Sequence, residues 1–139
     1  MEIEERLKEA FKPVLEGRCI LMAVLFGSVA SHRYRADSDI DIAVETGKVF
    51  DFREHGELLS GLQEAAVKAG IEKEIDIAYL DRADPLFLKK IFESAVLIAG
   101  QPGRLSIWRL RAFRAYLDFL PYLQMEAVTA RRIADRLSG

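Results

Sequence analysis

Two segments of the chain alternate apolar and acidic residues with a period of two: "SDIDIAVE", from Ser38 to Glu45, and "EIDIAYLD", from Glu74 to Asp81. Side chains two apart on a strand share a face. The first segment is therefore expected as a strand with Ile40, Ile42 and Val44 on one side and Asp39 and Asp41 on the other, and the second repeats the pattern around Asp76. The apolar run from Cys19 to Phe26 predicts a fully buried strand that breaks at Gly27-Ser28, after which a short helical or looped segment leads to Ala36. Elsewhere the period changes to that of a helix. Ile3, Leu7, Ala10, Phe11 and Val14 predict a first helix, loosened near its end by Pro13. Leu58, Leu59, Leu62, Ala65, Ala66 and Ala69 predict a second, closed by Gly70. Asp84-Pro85 caps and starts a third, with Leu88, Ile91, Phe92 and Ala95 on its apolar face. "VLIAG" is expected as a short strand and "QPG" as a turn. A long helix then runs from Leu105 to about Leu120 with Leu110, Phe113, Leu117 and Leu120 at heptad-like spacing, until Pro121 interrupts it before a last helical stretch.

Strands alternating with helices give an α/β (α+β) chain: a mixed sheet with helices packed mainly on one side, and a C-terminal helical region from about residue 104. With 139 residues, 50% of them hydrophobic and 30% charged, residues 1–139 are expected to form a single domain around one core. The net charge of −2 argues against direct binding along a nucleic-acid backbone. That total hides an asymmetry. From Arg104 onward seven arginines face three acidic residues, a net of +4 that leaves −6 on the rest. The single cysteine, Cys19, precludes an internal disulfide and reads as a small core residue, which fits a cytoplasmic setting. The apolar run at Cys19–Phe26 is too short to span a membrane, and the acidic start is unlike a signal peptide.

The three aspartates carry the chemistry. Asp39 and Asp41 on one strand face and Asp76 on another strand repel one another unless a cation lies among them. Oxygen ligands with no accompanying histidine or cysteine favour Mg²⁺ or Mn²⁺, and Mg²⁺ is commonly held by one or two carboxylates together with substrate phosphates. The site therefore expects a nucleotide. Gly27-Ser28 supplies the other half: a sharp turn that leaves backbone N–H groups and a hydroxyl for phosphate oxygens.

Gly27-Ser28 followed by Asp39-x-Asp41 and a third aspartate, Asp76, on a later strand resembles the nucleotidyltransferases of the DNA polymerase beta superfamily. The short length, "DPLFLKKIFESAVLIAGQPG" and "RAYLDFLP" are similar to the minimal nucleotidyltransferases of the MntA antitoxin type. The resemblance implies the nucleotidyltransferase fold and Mg²⁺-dependent transfer of AMP from ATP to a hydroxyl. Asp39 and Asp41 would bridge two ions, and Asp76 would hold the ion that activates the nucleophile. It further implies an antitoxin that adenylylates a tyrosine of a HEPN-family ribonuclease toxin. Two rivals are a nucleotidyltransferase for a small hydroxylated molecule and a non-catalytic antitoxin that neutralises its partner by contact. The family pattern Gly-Ser-x-Ala-Arg-Gly is not kept, since Ser31-His32 stands where it has Arg-Gly. Arg33 and Arg35 are the expected replacements for the lost cation.

Other residues read as structural. Asp37 suits a turn, His32 and His55 a surface or loop, and Glu45 a solvated strand end. Trp108 with Phe113, Tyr116 and Phe119 reads as core or interface. Leu110, Phe113 and Leu117 are expected to close the chain's own core, while a second face with Tyr122, Leu123 and the terminal arginines docks the toxin.

Overall fold

The computed structural model describes residues 2–31 and 38–138. Its elements alternate as the periodicity requires: α1 (Ile3–Glu16), β1 (Ile20–Phe26), α2 (Gly27–Ala30), β2 (Ile40–Thr46), α3 (Phe52–Lys68) and β3 (Ile75–Tyr79). A single 3₁₀ turn (Leu80–Arg82) leads to α4 (Pro85–Ser94), β4 (Val96–Gly100) and α5 (Pro102–Ser138). Helix starts follow local chemistry. Asp51 and Glu54 form a reciprocal capping box on α3, and Asp84 accepts from the Phe87 N–H at 2.8 Å with Pro85 in the first turn of α4.

The four strands form one mixed sheet in the order β3-β2-β1-β4. β1 is antiparallel to both β2 and β4, while β2 and β3 run parallel because α3 crosses over between them. The larger core lies on one face, where Leu7, Phe11 and Leu15 of α1 and Leu58, Leu62 and Ala66 of α3 pack on Leu25, Ile40, Ile42 and Val44. The opposite face is covered as well. There Met22, Val24, Phe26 and Ala43 meet Leu88 and Ile91 of α4 and Trp108 and Ala112 of α5.

Several expectations are corrected. Pro121 does not interrupt the last helix but lies inside α5, as Pro13 lies inside α1. A proline removes one hydrogen bond from a helix, and both occupy exposed positions where water can serve the freed carbonyl. "QPG" is not a turn, because Pro102 already begins α5; Gly100 makes the reversal instead, at φ +101, where a side chain would strike the Leu21 carbonyl. Cys19 is exposed, one residue before β1, and Leu21 is 43% exposed, so the buried run begins only at Met22. Glu45 is not a solvated strand end. It is buried, and Arg104 donates to its two oxygens, from Nε at 2.7 Å and from Nη2. Leu110, Phe113 and Leu117 do not close the core. They are 50%, 59% and 47% exposed, and Trp108 and Ala112 do that work from the other side of α5. Among the described residues no helix is long and apolar enough to cross a membrane.

Candidate active site

Period two on β2 assigns three tasks to one strand face. Asp41, Ala43 and Glu45 all point toward the α4 and α5 side: Asp41 into a cleft, Ala43 into the smaller core, Glu45 onto Arg104. On β3 the parallel register places Asp76 directly opposite Asp41, and Ala78 opposite Ala43. Two carboxylates from different strands are thereby set side by side at the end of the sheet. They open on a cavity of about 500 Å³ lined also by Phe26, Tyr79, Arg82, Phe87 and Lys90, within the range of small-molecule sites. Asp41 is half-buried, whereas Asp76 and Asp39 are exposed, the latter just ahead of β2.

Burial raises the Asp41 carboxyl above its ordinary value, the charges of Asp76 and Asp39 raise it further, and Lys90 opposes them. Asp41 is thus the point at which added positive charge is most favourable. Among the described residues no three carboxylate, histidine or cysteine groups form a ready-made metal cage. A pair of oxygen donors with a third nearby still suits a hard cation that completes its shell with phosphate and water.

Gly27 closes the cleft from the β1 side. Phe26 is the register partner of Asp41, and Gly27 follows at φ +74, a left-handed conformation open to glycine; a Cβ there would stand 2.5 Å from Asp41 Oδ2. Glycine is therefore required twice over, by its backbone and by the carboxylate it faces. The turn differs from expectation in two respects. α2 is only four residues long, so it offers aimed N–H groups and little dipole. The Gly27 N–H is already engaged, donating to Ser94 Oγ of α4 at 3.1 Å. Ser28 is half-buried on this turn. The Ser31 hydroxyl donates to the Gly27 carbonyl at 2.9 Å, which ties the end of the turn to its start. Arg33, Arg35, His32 and Asp37 lie outside the described residues.

Sequence reading missed Lys90, Ser94, Arg82 and Tyr79. The lysine and serine sit in "LKKIFES", which carries an unremarkable amphipathic helical pattern, and nothing local signals that one turn of it overhangs the aspartates. Tyr79 hydrogen bonds through its hydroxyl to His55 Nδ1 at 2.7 Å, and the Arg82 guanidinium lies 5.2 Å over its ring. His55 is accordingly a half-buried packing residue of α3.

The sheet, with paired aspartates beneath a Gly-Ser turn, has the layout of the nucleotidyltransferase fold. The family model "Polymerase beta, Nucleotidyltransferase" matches residues 6–102, more than two thirds of the chain, and the chain belongs to that family. Similar solved structures include a toxin-antitoxin complex with AMP-PNP (TM-score 0.69, 20% identity, 95% of this chain and 98% of that one). An MntA-HepT toxin-antitoxin structure aligns at TM-score 0.65 and 19% identity over 97% and 99% of the two chains. A third is the tri-AMPylated Shewanella oneidensis HEPN toxin in complex with MNT antitoxin, at TM-score 0.66 and 19% identity over 99% and 100%. No curated protein matches significantly.

Proposed function

We propose that this chain transfers AMP from ATP to a hydroxyl of a HEPN-family toxin, a tyrosine by preference, and thereby acts as its antitoxin. The observation that carries the reading is the register pair Asp41 and Asp76, open to a nucleotide-sized cavity under a glycine that leaves room for the carboxylate. AMP-PNP and an AMPylated toxin in the similar complexes supply the nucleotide and acceptor classes. Asp41 and Asp76, with Asp39 nearby, would hold a divalent cation, Mg²⁺ in our reading, which would neutralise phosphate charge and lower the pKa of the acceptor hydroxyl. The acceptor oxygen forms a bond to the α-phosphorus. The bond from that phosphorus to the α–β bridging oxygen breaks, and pyrophosphate leaves with the electron pair. Asp76, exposed at the mouth, accepts the hydroxyl proton. Gly27 keeps Asp41 unobstructed, and Ser28 contacts phosphate.

The direct test is incubation with ATP, Mg²⁺ and a purified HEPN-family toxin, read by intact mass. An added AMP on the toxin, lost with Asp76→Asn, is the expected result. Toxin neutralised without a mass change, and equally by aspartate variants, would make neutralisation by contact alone the function.

The partner surface follows from α5. Its outward stripe of Leu110, Phe113 and Leu117 is exposed, and Phe113 lines a cavity of about 320 Å³ with Lys89, Phe92, Glu93, Arg109 and Tyr116. Arg109, Arg111 and Arg114 accompany the stripe with no acidic residue between 109 and 117. Two copies docked through this segment would oppose like charges, so an acidic helical partner fits better. Phe113→Glu with Leu117→Glu should weaken toxin binding by at least about 2 kcal/mol, the scale of a lost hot spot, with nucleotide binding unchanged. Calorimetric titration measures both, and full toxin affinity in the double variant would remove α5 as the docking face.

A further inference from the structure

We infer that Lys90 binds the β- and γ-phosphates of the nucleotide and holds the pyrophosphate leaving group, supplying from α4 the cation that Ser31-His32 does not supply from the turn. This rests on the nucleotidyl-transfer reading. α4 is set against the site from two sides. Its buried residues Leu88 and Ile91 pack on the smaller core, and its Ser94 hydroxyl accepts the Gly27 N–H, so the helix and the phosphate turn are tied together. Lys90 is four residues before Ser94, one helical turn away, and lines the same cavity as Asp41 and Asp76.

Among the described residues the neighbouring cations are committed elsewhere. Lys89 pairs with Glu93 and lies 5.1 Å from the Tyr116 ring centroid, and Arg82 lies over Tyr79 and donates to the Phe50 carbonyl at 3.4 Å. Among the described residues Lys90 has no ion-pair partner, and its charge acts on Asp41. A triphosphate brings several further negative charges to carboxylates that already repel one another, so a protein cation across the same cavity is favoured beside it. An exposed ammonium on a flexible stem suits the β- and γ-phosphates as a point charge that follows pyrophosphate as it departs. Because the bridging oxygen gains negative charge as its bond to the α-phosphorus breaks, this contact strengthens in the transition state.

The test is titration of the full chain with MgATP and, separately, with AMP in Mg²⁺. Lys90→Ala should weaken MgATP binding about tenfold or more, the scale of one charge-assisted hydrogen bond, and change AMP binding less than about threefold. Lys90→Arg should recover most of the ATP affinity. In steady state the alanine variant should lower kcat as well as raise KM, with an unchanged circular dichroism spectrum because the side chain is exposed. ATP affinity unchanged in Lys90→Ala overturns the inference, and an equal loss for ATP and AMP overturns its assignment to the β- and γ-phosphates. A wild-type chain that binds no MgATP fails the nucleotidyl-transfer reading itself, which separates the two failures.

Discussion

Replacing Asp41 by asparagine should raise the melting temperature of the ligand-free chain while removing nucleotidyl transfer. Asp41 is partly desolvated and repelled by Asp76 and Asp39, with Lys90 in opposition among the described residues, so its ionised form costs folding free energy at neutral pH. An amide of the same shape removes that cost. A gain on the order of 1 kcal/mol, or about 3 °C for a chain of this size, is typical of relieving a strained functional group. The same change removes a ligand of the proposed cation, and activity should fall by at least about 10²–10³-fold, the loss that follows from deleting one electrostatic stabiliser of a transition state. The pH dependence has a definite sign. A carboxyl raised in the folded state contributes most favourably below its unfolded pKa, and that contribution is lost as pH rises through the folded value. The stability gap between wild type and variant should therefore close as pH is lowered. MgATP should restore wild-type stability and do little for the variant. Paired melting curves with and without MgATP measure all of this. A less stable variant, or one that MgATP stabilises as strongly as wild type, would mean that Asp41 is an ordinary strand residue.

Arg104→Ala should destabilise the fold by about 2 kcal/mol, even though Arg104 itself is 39% exposed on its side chain. The cost lies with Glu45, whose side chain is 7% exposed and which would be left as a buried charge without its partner. Burial by itself raises the Glu45 carboxyl; the Arg104 hydrogen bonds, with the charges of Arg104 and Arg111, outweigh it and hold the group below its ordinary value. The sign is opposite to that of Asp41. A carboxyl lowered in the folded state contributes stability present above its ordinary value of 4.5, and this is lost as pH falls through the lower folded value. Wild type and Arg104→Ala should thus differ most at neutral pH and converge in acid. Because Glu45 shares its strand face with Asp41 and pins the first turn of α5, looser α5 packing should also weaken toxin binding. Urea unfolding at several pH values decides it. Equal stability of the two chains at pH 7 would show that the pair merely decorates the surface.

Elements whose cause is local were legible in the chain itself. Period two at Ile40–Val44 and Ile75–Ile77 specified two strands with their aspartates on one face, because alternation is a property of extended backbone alone. Asp84-Pro85 and the apolar spacing of α1, α3 and α4 specified helices for equally local reasons. Gly27-Ser28 with Asp39-x-Asp41 and Asp76 also pointed to the proposed site, since the residue types themselves suggest the chemistry. What the tertiary structure decided depends on partners distant in sequence. Pairing of Asp41 with Asp76 in register requires the α3 crossover. Glu45 is buried because Arg104, 59 residues away, reaches it, and a lone glutamate at a strand end carries no sign of that. Lys90 and Ser94 enter the site only because α4 packs across β1. The heptad-like stripe on α5 shows that its face is apolar, but which side of the helix meets the sheet was settled by Trp108 and Ala112. Periodicity specifies that a face exists, and only packing determines what it meets.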